Sequence, residues 1–541
     1  MGQNAQTGLG FATTAGVAVD SGLVFGGTFG NQLVALNAST GSLVWSVPID
    51  QGIVANPQAT YIGPEAAPLV FDHEVIIGNI QGNSAARGFV RAFSESSGAL
   101  LWTFYTVPAS PVDTSNQGFY KNSWGACTYC GGGDLWSIPA VDPSSGVIYF
   151  GTGDASPSFN ASQRSPSQSY PDLYTDCIIA LNATNGNMIW YYQTVPADVH
   201  NWDPGMPVQL FNTTINGAKT LVVGEGSKSG FYYELDAKNG TLLHETELGI
   251  HLNDNEAPKP SGSIVYPGTF GGVNTFSSFD PTTNMIYTMT YNWATNYTSG
   301  PITLNGQGGV DNVVPGTTIN STLYAIDAST GSVVWSVTLP GLGGGVSSTN
   351  DLVFTSDGQS NFYAYNASSG ARAWSYNNGR GNFNDGLANW GPPSVVDGML
   401  FETSVANDGG VFAFRPQSSS SLSSTTSSTS TTSSVSSGPS STTTTMLTSS
   451  RESTSSTSSS LRISGTSSAT TTSITTASQL SSTSTSTEIS TSSSAVSHAS
   501  TLASSATTRN AGNVASIATL VAVFLVIVAL AVISIFLYRR K

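Results

Sequence analysis

Charge is what this 541-residue chain has least of. Only 9% of its residues are Asp, Glu, Lys or Arg, and 17 basic against 32 acidic residues leave a net charge of −15. So few cations give a nucleic-acid backbone nothing to hold, which argues against nucleic acid as a partner. Cysteine is scarce too: Cys127, Cys130 and Cys177 are the whole set. There is no CxxCH haem-attachment motif and no zinc-type pair of CxxC motifs. The CTYC run at 127–130 is spaced either to close a small disulfide in an oxidising compartment or to remain two free thiols. Residues 1–15 lack a basic start and an apolar run, so no signal peptide is read there.

What is present divides the chain sharply. Residues 1–416 are rich in Gly, aromatic and β-branched residues. Residues 417–512 are almost wholly Ser and Thr, which cannot bury a core and read as an extended, O-glycosylated stalk. Residues 513–538 read as a transmembrane helix, with a charge-free run over 514–537, and 539–541 form a basic tail. The positive-inside bias puts that tail in the cytoplasm and residues 1–416 outside the cell, held by a single membrane pass. Eight N-x-[S/T] sequons, at Asn37, Asn160, Asn182, Asn212, Asn239, Asn296, Asn320 and Asn366, lean toward an exported glycoprotein. Export without a signal peptide is a conflict, and a start that lies downstream of the true one resolves it.

From Gly16 onward a unit repeats. Two apolar runs meet at a D/G corner; a third run, an [N/D]-x-x-x-G turn and a fourth run follow. The first copy is GVAVDSGLVFGGT then QLVALNASTGSLVWSV, and seven copies are visible, the last stopping at VFAF. Short alternating strands at regular spacing mean an all-β repeat, and four strands per unit fit a β-propeller blade. Trp recurs at the fourth strand, at 45, 102, 190, 335 and 374, with His244 in that place in the fourth copy. Rings there are expected to pack between neighbouring blades. The last unit lacks a fourth strand, and nothing before Gly16 supplies it, so the propeller is expected to be incomplete at its N-terminus.

Several stretches resemble the pyrroloquinoline-quinone (PQQ)-dependent alcohol dehydrogenases, which are eight-bladed propellers. They include RGFVRAFSESSGALLW, GGGDLWSIPAVDPSSGVIYFGTGD, SKSGFYYELDAKNG and GGVNTFSSFDPTTNMIY. The resemblance spans nearly all of 16–416. It implies a PQQ cofactor, a calcium ion, a small alcohol or sugar-type substrate and an external electron acceptor.

Residue by residue, Trp136 matches the tryptophan that floors the quinone, and a core Trp is the plainer reading. Lys228 matches a basic residue that contacts both the quinone and the catalytic acid. Asn274 matches a cofactor-contacting asparagine. The family's calcium ligands fall on Asn83, where a glutamate is expected, on Asp154, where an asparagine is expected, and on the catalytic aspartate. The segment that carries that aspartate reads ADVHNWD here. Aligned without gaps, Asn201 takes the base position, and an amide cannot abstract a proton. Either Asp203 or His200 serves instead through a local shift, or catalysis is impaired. Asp203 is equally a turn residue ahead of Pro204 and Gly205. Adjacent cysteines, which flank the quinone in the family, are absent.

The expectation is therefore an exported, membrane-anchored PQQ-dependent dehydrogenase. The alternative is a non-catalytic propeller that serves as a cell-surface binding or scaffold module, since propellers host many functions. Asn83 and Asn201 favour the alternative; Trp136, Asp154, Lys228 and Asn274 favour the enzyme.

Overall fold

Each repeat is one antiparallel sheet with strands in chain order. The structure, a computed structural model, describes residues 16–416 except 29, 53–62, 65, 81–85, 109–122, 126–130, 304–305, 380–390 and 405–409. Asn83, Cys127, Cys130, the Ser/Thr stretch and the expected membrane span lie outside the described residues. Among those described, no helix is long and apolar enough to cross a membrane, and Cys177 is a buried free thiol.

Blade one is Ala18–Asp20, Leu23–Gly27, Gln32–Asn37 and Leu43–Pro48. Blade two is Leu69–Phe71, Glu74–Gly78, Phe89–Ser94 and Leu100–Tyr105. Blade three is Ala140–Asp142, Val147–Gly151, Cys177–Asn182 and Met188–Gln193. Blade four is Gln209–Ile215, Ala218–Gly226, Phe231–Asp236 and Leu242–Glu247. Blade five is Ser278–Asp280, Met285–Asn292, Asn320–Asp327 and Ser332–Pro340. Blade six is Ser347–Ser348, Leu352–Ser356, Asn361–Asn366 and Arg372–Asn377. Blade seven shows three strands among the described residues, Ser394–Val396, Met399–Ser404 and Gly410–Phe414.

The first strand of blade one touches that of blade two, and the same holds along blades three to six. First strands therefore lie innermost, and the connections at their ends face a shared axis. The third strands supply the deepest core. Leu33, Val34 and Ala35, Ile178 to Leu181, and Tyr232 with Leu235 are all buried. Residues of both faces are covered because each sheet packs between two others.

The recurring Trp does what its position predicts, and the geometry shows how. The indole of one blade reaches the third-to-fourth-strand turn of the next. Trp45 Nε1 donates to Glu95 O (2.9 Å), Trp102 to Ala183 O (2.7 Å), Trp190 to Ala237 O (2.9 Å) and Trp335 to Ala367 O (2.9 Å). The ring lies on the turn's glycine. A Cβ at Gly186, where φ is +68°, would meet Trp102 at 2.5 Å. The turn's first residue also has a job: the side-chain Oδ1 atoms of Asn37, Asn182 and Asn366 accept the backbone N–H two residues on. At those three sites Asn is therefore fixed by turn chemistry, whatever else the sequon does.

In blade four His244 replaces the Trp and lies against Gly331. It pairs across the strands with Glu234, whose Oε1 is 3.4 Å from His244 Nδ1. Glu234 is fully buried, and burial, with Asp327 adding to it, pushes its carboxyl pKa up to about 8.

Two outcomes are expected in the full chain. Gly186→Ala must fit a methyl group into the Trp102 ring and should lower stability by about 1–3 kcal/mol. Gly217→Ala, at a φ of +81° with nothing within 4 Å of the new methyl, should cost less; equal losses in thermal melting would refute ring docking as the cause. For Glu234, the folded chain keeps a proton that the unfolded chain releases above the ordinary value of 4.5. Stability should then fall as pH rises from 4.5 towards about 8, by up to about 1.4 kcal/mol per pH unit. Glu234→Gln should flatten that slope in denaturant titrations.

Candidate functional site

Connections between strands carry the candidate residues to one end of the axis. Lys228 lies on the hairpin between the second and third strands of blade four. Asn201 and Asp203 lie on the connection from blade three to blade four. Trp136 precedes blade three, and Asp154 follows its second strand.

Asp203 is the centre. Its Oδ2 accepts the Trp136 indole N–H at 2.7 Å, and its Oδ1 accepts from Lys228 Nζ at 2.7 Å. Asp203 is buried and Lys228 largely so, their side chains 2% and 12% exposed. Lys228 Nζ also donates to Asn201 Oδ1 at 3.2 Å and lies 5.1 Å from the centre of the Trp136 ring. Asn201 Nδ2 in turn donates to Thr269 Oγ1 at 3.1 Å. Burial depresses the Lys228 ammonium, but Asp203 and then Asp154 and Asp134 more than offset it, so its pKa lies above the ordinary lysine value. Lys228 is a fixed cation at any neutral pH.

Glycines let the backbone close around these groups. A Cβ at Gly205 would sit 1.9 Å from the Trp136 ring, and one at Gly153 would sit 1.8 Å from Asp134 Oδ1. A Cβ at Gly272 would meet the Lys228 carbonyl at 2.2 Å, and Val273 N donates to Ser227 O at 3.0 Å. That contact brings buried Asn274 to the Lys228 hairpin. Asp154 is 4% exposed and accepts the Ser158 hydroxyl at 3.0 Å. Burial first, and then the charges of Asp203, Asp198 and Asp134, push its pKa well above the ordinary carboxylate range. Glu225 and the Pro204 carbonyl both close on Gly151, and the Glu225 carboxyl is raised in the same way by burial and by Asp203. The pocket thus holds more buried carboxyl groups than its one ammonium neutralises.

Four of the expected residues therefore converge, Trp136, Asn201, Asp203 and Lys228, with Asp154 and Asn274 beside them. His200 does not join them, which corrects the expectation that it could reach the site. Its ring stacks on Trp202 (4.1 Å between centroids, 26°), and its Nε2 lies 3.0 Å from Glu256 O. Burial holds its pKa below the ordinary histidine value. Reading the sequence missed Asp134, Asp198, Glu225 and Thr269. Asp134 had a signal, since it stands two residues before Trp136 in GGGDLW. The others had none, because their relevance comes from folding.

Comparison with known proteins gives the family. The family model described as "Glucose/ethanol/alcohol dehydrogenase, beta-propeller domain" matches residues 20–248, and the one described as "Outer membrane protein assembly factor BamB" matches 290–519. The chain is 30% identical over 396 residues to quinohemoprotein alcohol dehydrogenase ADH IIB of Pseudomonas putida, covering 68% of this chain and 56% of that one.

The chain is a quinoprotein-type β-propeller.

A second quinoprotein relative, the quinohemoprotein alcohol dehydrogenase of Comamonas testosteroni, is 27% identical over 75% of this chain and 61% of its own length. Among solved structures, ADHIIG of Pseudomonas putida superposes with a TM-score of 0.62 at 24% identity, over 71% of this chain and 61% of that one. A europium-containing methanol dehydrogenase superposes with a TM-score of 0.59 at 22% identity, over 74% and 72%. These two structures speak for the fold alone. The quinoprotein propeller here spans 56% and 61% of the length of the two curated relatives.

Gly205→Ala tests the packing at the centre of the site. The added methyl collides with the Trp136 ring and should break its bond to Asp203. A changed near-ultraviolet circular dichroism spectrum with an intact far-ultraviolet one is the expected result; identical near-ultraviolet spectra would contradict it.

Proposed function

We propose that this quinoprotein propeller is a PQQ-dependent dehydrogenase that oxidises a small alcohol or a sugar-type hydroxyl. The observation that carries the proposal is the Asp203 carboxylate, gripped by Lys228 and by Trp136. An acid–base group fixed between a permanent cation and a flat indole is what alcohol oxidation by a quinone requires.

The donor chemistry fits both groups that the resemblance implies. Asp154, Asp203 and Asn201 offer oxygens, the ligand type of a hard cation, among carboxyl groups whose ionised forms burial disfavours and a cation would favour. Among the described residues no three His, Cys, Asp or Glu side chains form a ready-made metal cluster. The described side chains therefore provide only part of a calcium ion's usual six to eight oxygens. The Trp136 ring, half-buried, offers a surface on which a planar quinone stacks.

When bound, PQQ supplies the hydride acceptor and calcium polarises it. In this reading Asp203 takes the hydroxyl proton of the substrate. Lys228 orients Asp203 through its ion pair and stabilises negative charge that develops on the acceptor. Trp136 fixes the plane of the cofactor, Asn274 hydrogen-bonds it, and Asp154 and Asn201 serve the cation. Asn201 is in the site as a bonded amide and not as the base. The electrons leave to an external acceptor. Residues 417–512 and 513–538 extend the reading to a stalked protein anchored in the membrane by one helix, with the propeller outside the cell.

The full chain, incubated with PQQ and calcium, should oxidise alcohols in a dye-linked assay that needs both additions. Asp203→Asn should lower kcat by about 10²–10⁴-fold while the quinone still binds. Trp136→Ala should weaken quinone binding by about tenfold. An absence of turnover with either addition, across primary alcohols and sugars, leaves the non-catalytic binding or scaffold propeller as the correct reading.

A further inference from the structure

The segment that carries Asn201 and Asp203 is not held by a strand ladder. Asn201 has a φ of 65°, in the left-handed region, so the backbone there turns away from any sheet. Its amides must find partners elsewhere. One carboxylate provides them. Asp198, 2% exposed, accepts the His200 N–H at Oδ1 (2.9 Å) and the Trp202 N–H at Oδ2 (2.9 Å). Those two amides flank Asn201, and the second immediately precedes Asp203.

Behind Asp198 sits Arg164, which is 0% exposed. Its guanidinium donates to the Asp198 carbonyl and to the Asp172 carboxylate. Its Nε donates to Pro157 O at 3.1 Å. Pro157 adjoins Ser158, whose hydroxyl binds Asp154. One buried cation therefore ties the loop of Asp154 to the loop of Asp203. Further clamps act on the same segment: Tyr297 donates its hydroxyl to His200 O at 2.7 Å, and Trp202 Nε1 donates to Pro267 O at 3.1 Å.

We infer that Asp198, anchored by Arg164, is a positioning residue that sets the Asp203 carboxylate against Lys228 and Trp136, a role that rests on reading the site as a quinone dehydrogenase. The physical reason is the pair of charge-assisted bonds from one carboxylate to two backbone amides, which removes the freedom of the three-residue span between them. Asparagine has the same shape but only one acceptor oxygen. In Asp198→Asn one of the two amides faces an NH₂ group, loses its bond and is left buried without a partner. A shift of about 1 Å at Asp203 is enough to cost about 10²-fold in rate.

The test uses Asp198→Asn in the full chain with PQQ and calcium, and reads kcat, KM, thermal melting and acylation of Lys228 by an amine-reactive ester. The expected result is a fall in kcat of about 10²-fold with KM for the alcohol changed less than about threefold. Lys228, released from Asp203, should label about tenfold faster, while exposed Lys259 labels at the wild-type rate. A merely structural role would lower the melting temperature and move neither ratio. Unchanged Lys228 labelling overturns the inference, and so does faster labelling with unchanged kcat. If the wild-type chain shows no quinone-dependent turnover, the dehydrogenase reading falls by itself; labelling alone then decides whether Asp198 sets the Asp203–Lys228 pair. If Asp198→Asn does not fold, Asp172→Asn takes its place. It weakens the Arg164 anchor but keeps both Asp198 bonds, and should speed Lys228 labelling by about threefold; no change overturns the inference.

Discussion

The ion pair between Lys228 and Asp203 is the constraint on which the site depends. Two buried charges are tolerable only together, because each alone would face the cost of desolvation without a partner. Their pairing demands that the hairpin of blade four and the connection from blade three meet at the axis. That meeting in turn demands blades held in fixed order. The docking Trp residues hold that order: the indole of Trp190 in blade three bonds to the Ala237 carbonyl of blade four, and Gly240 beneath the ring leaves room for it. The repeat is thus a frame, and the chemistry sits on the loops it aligns.

The frame was legible in the sequence and the site only partly so. Strand alternation recurs in all seven units, the [N/D]-x-x-x-G turn and the Trp in five each; these are local signals, and the sheets follow them closely. Trp136 and Lys228 were legible through their flanking text. The base was not. Counting along ADVHNWD without gaps puts Asn201 where the carboxylate belongs, whereas the chain turns through a left-handed Asn201 and delivers Asp203 to Lys228. A register of this kind is set by the bonds of Asp198 and the burial of Trp202, which no local pattern announces. Arg164 was invisible for the same reason: its partners lie at positions 157, 172 and 198, joined only by folding. The three-stranded sheet of Ser263–Val265, Thr295–Ser299 and Gly309–Val313, inserted beside the site, was also missed, because loop text gave no alternation strong enough to read.

The pocket is costly in a way that a purely structural interior avoids. Asp176 and Glu225 are fully buried with both carboxyl oxygens unpartnered. Asp154 is held far above its ordinary pKa. A chain with so little charge elsewhere concentrates acids around one ammonium. Such a concentration destabilises the free protein and would be relieved by the cation that the proposed function calls for.

Equilibrium titration of PQQ into the full chain in the presence of calcium, followed by the absorbance of the bound quinone, tests the proposed quinone site most directly. A site built on Trp136, Asp203 and Lys228 predicts saturation at one quinone per chain at micromolar concentration, and a requirement for the cation. No saturable binding at that concentration, with calcium present, would contradict it.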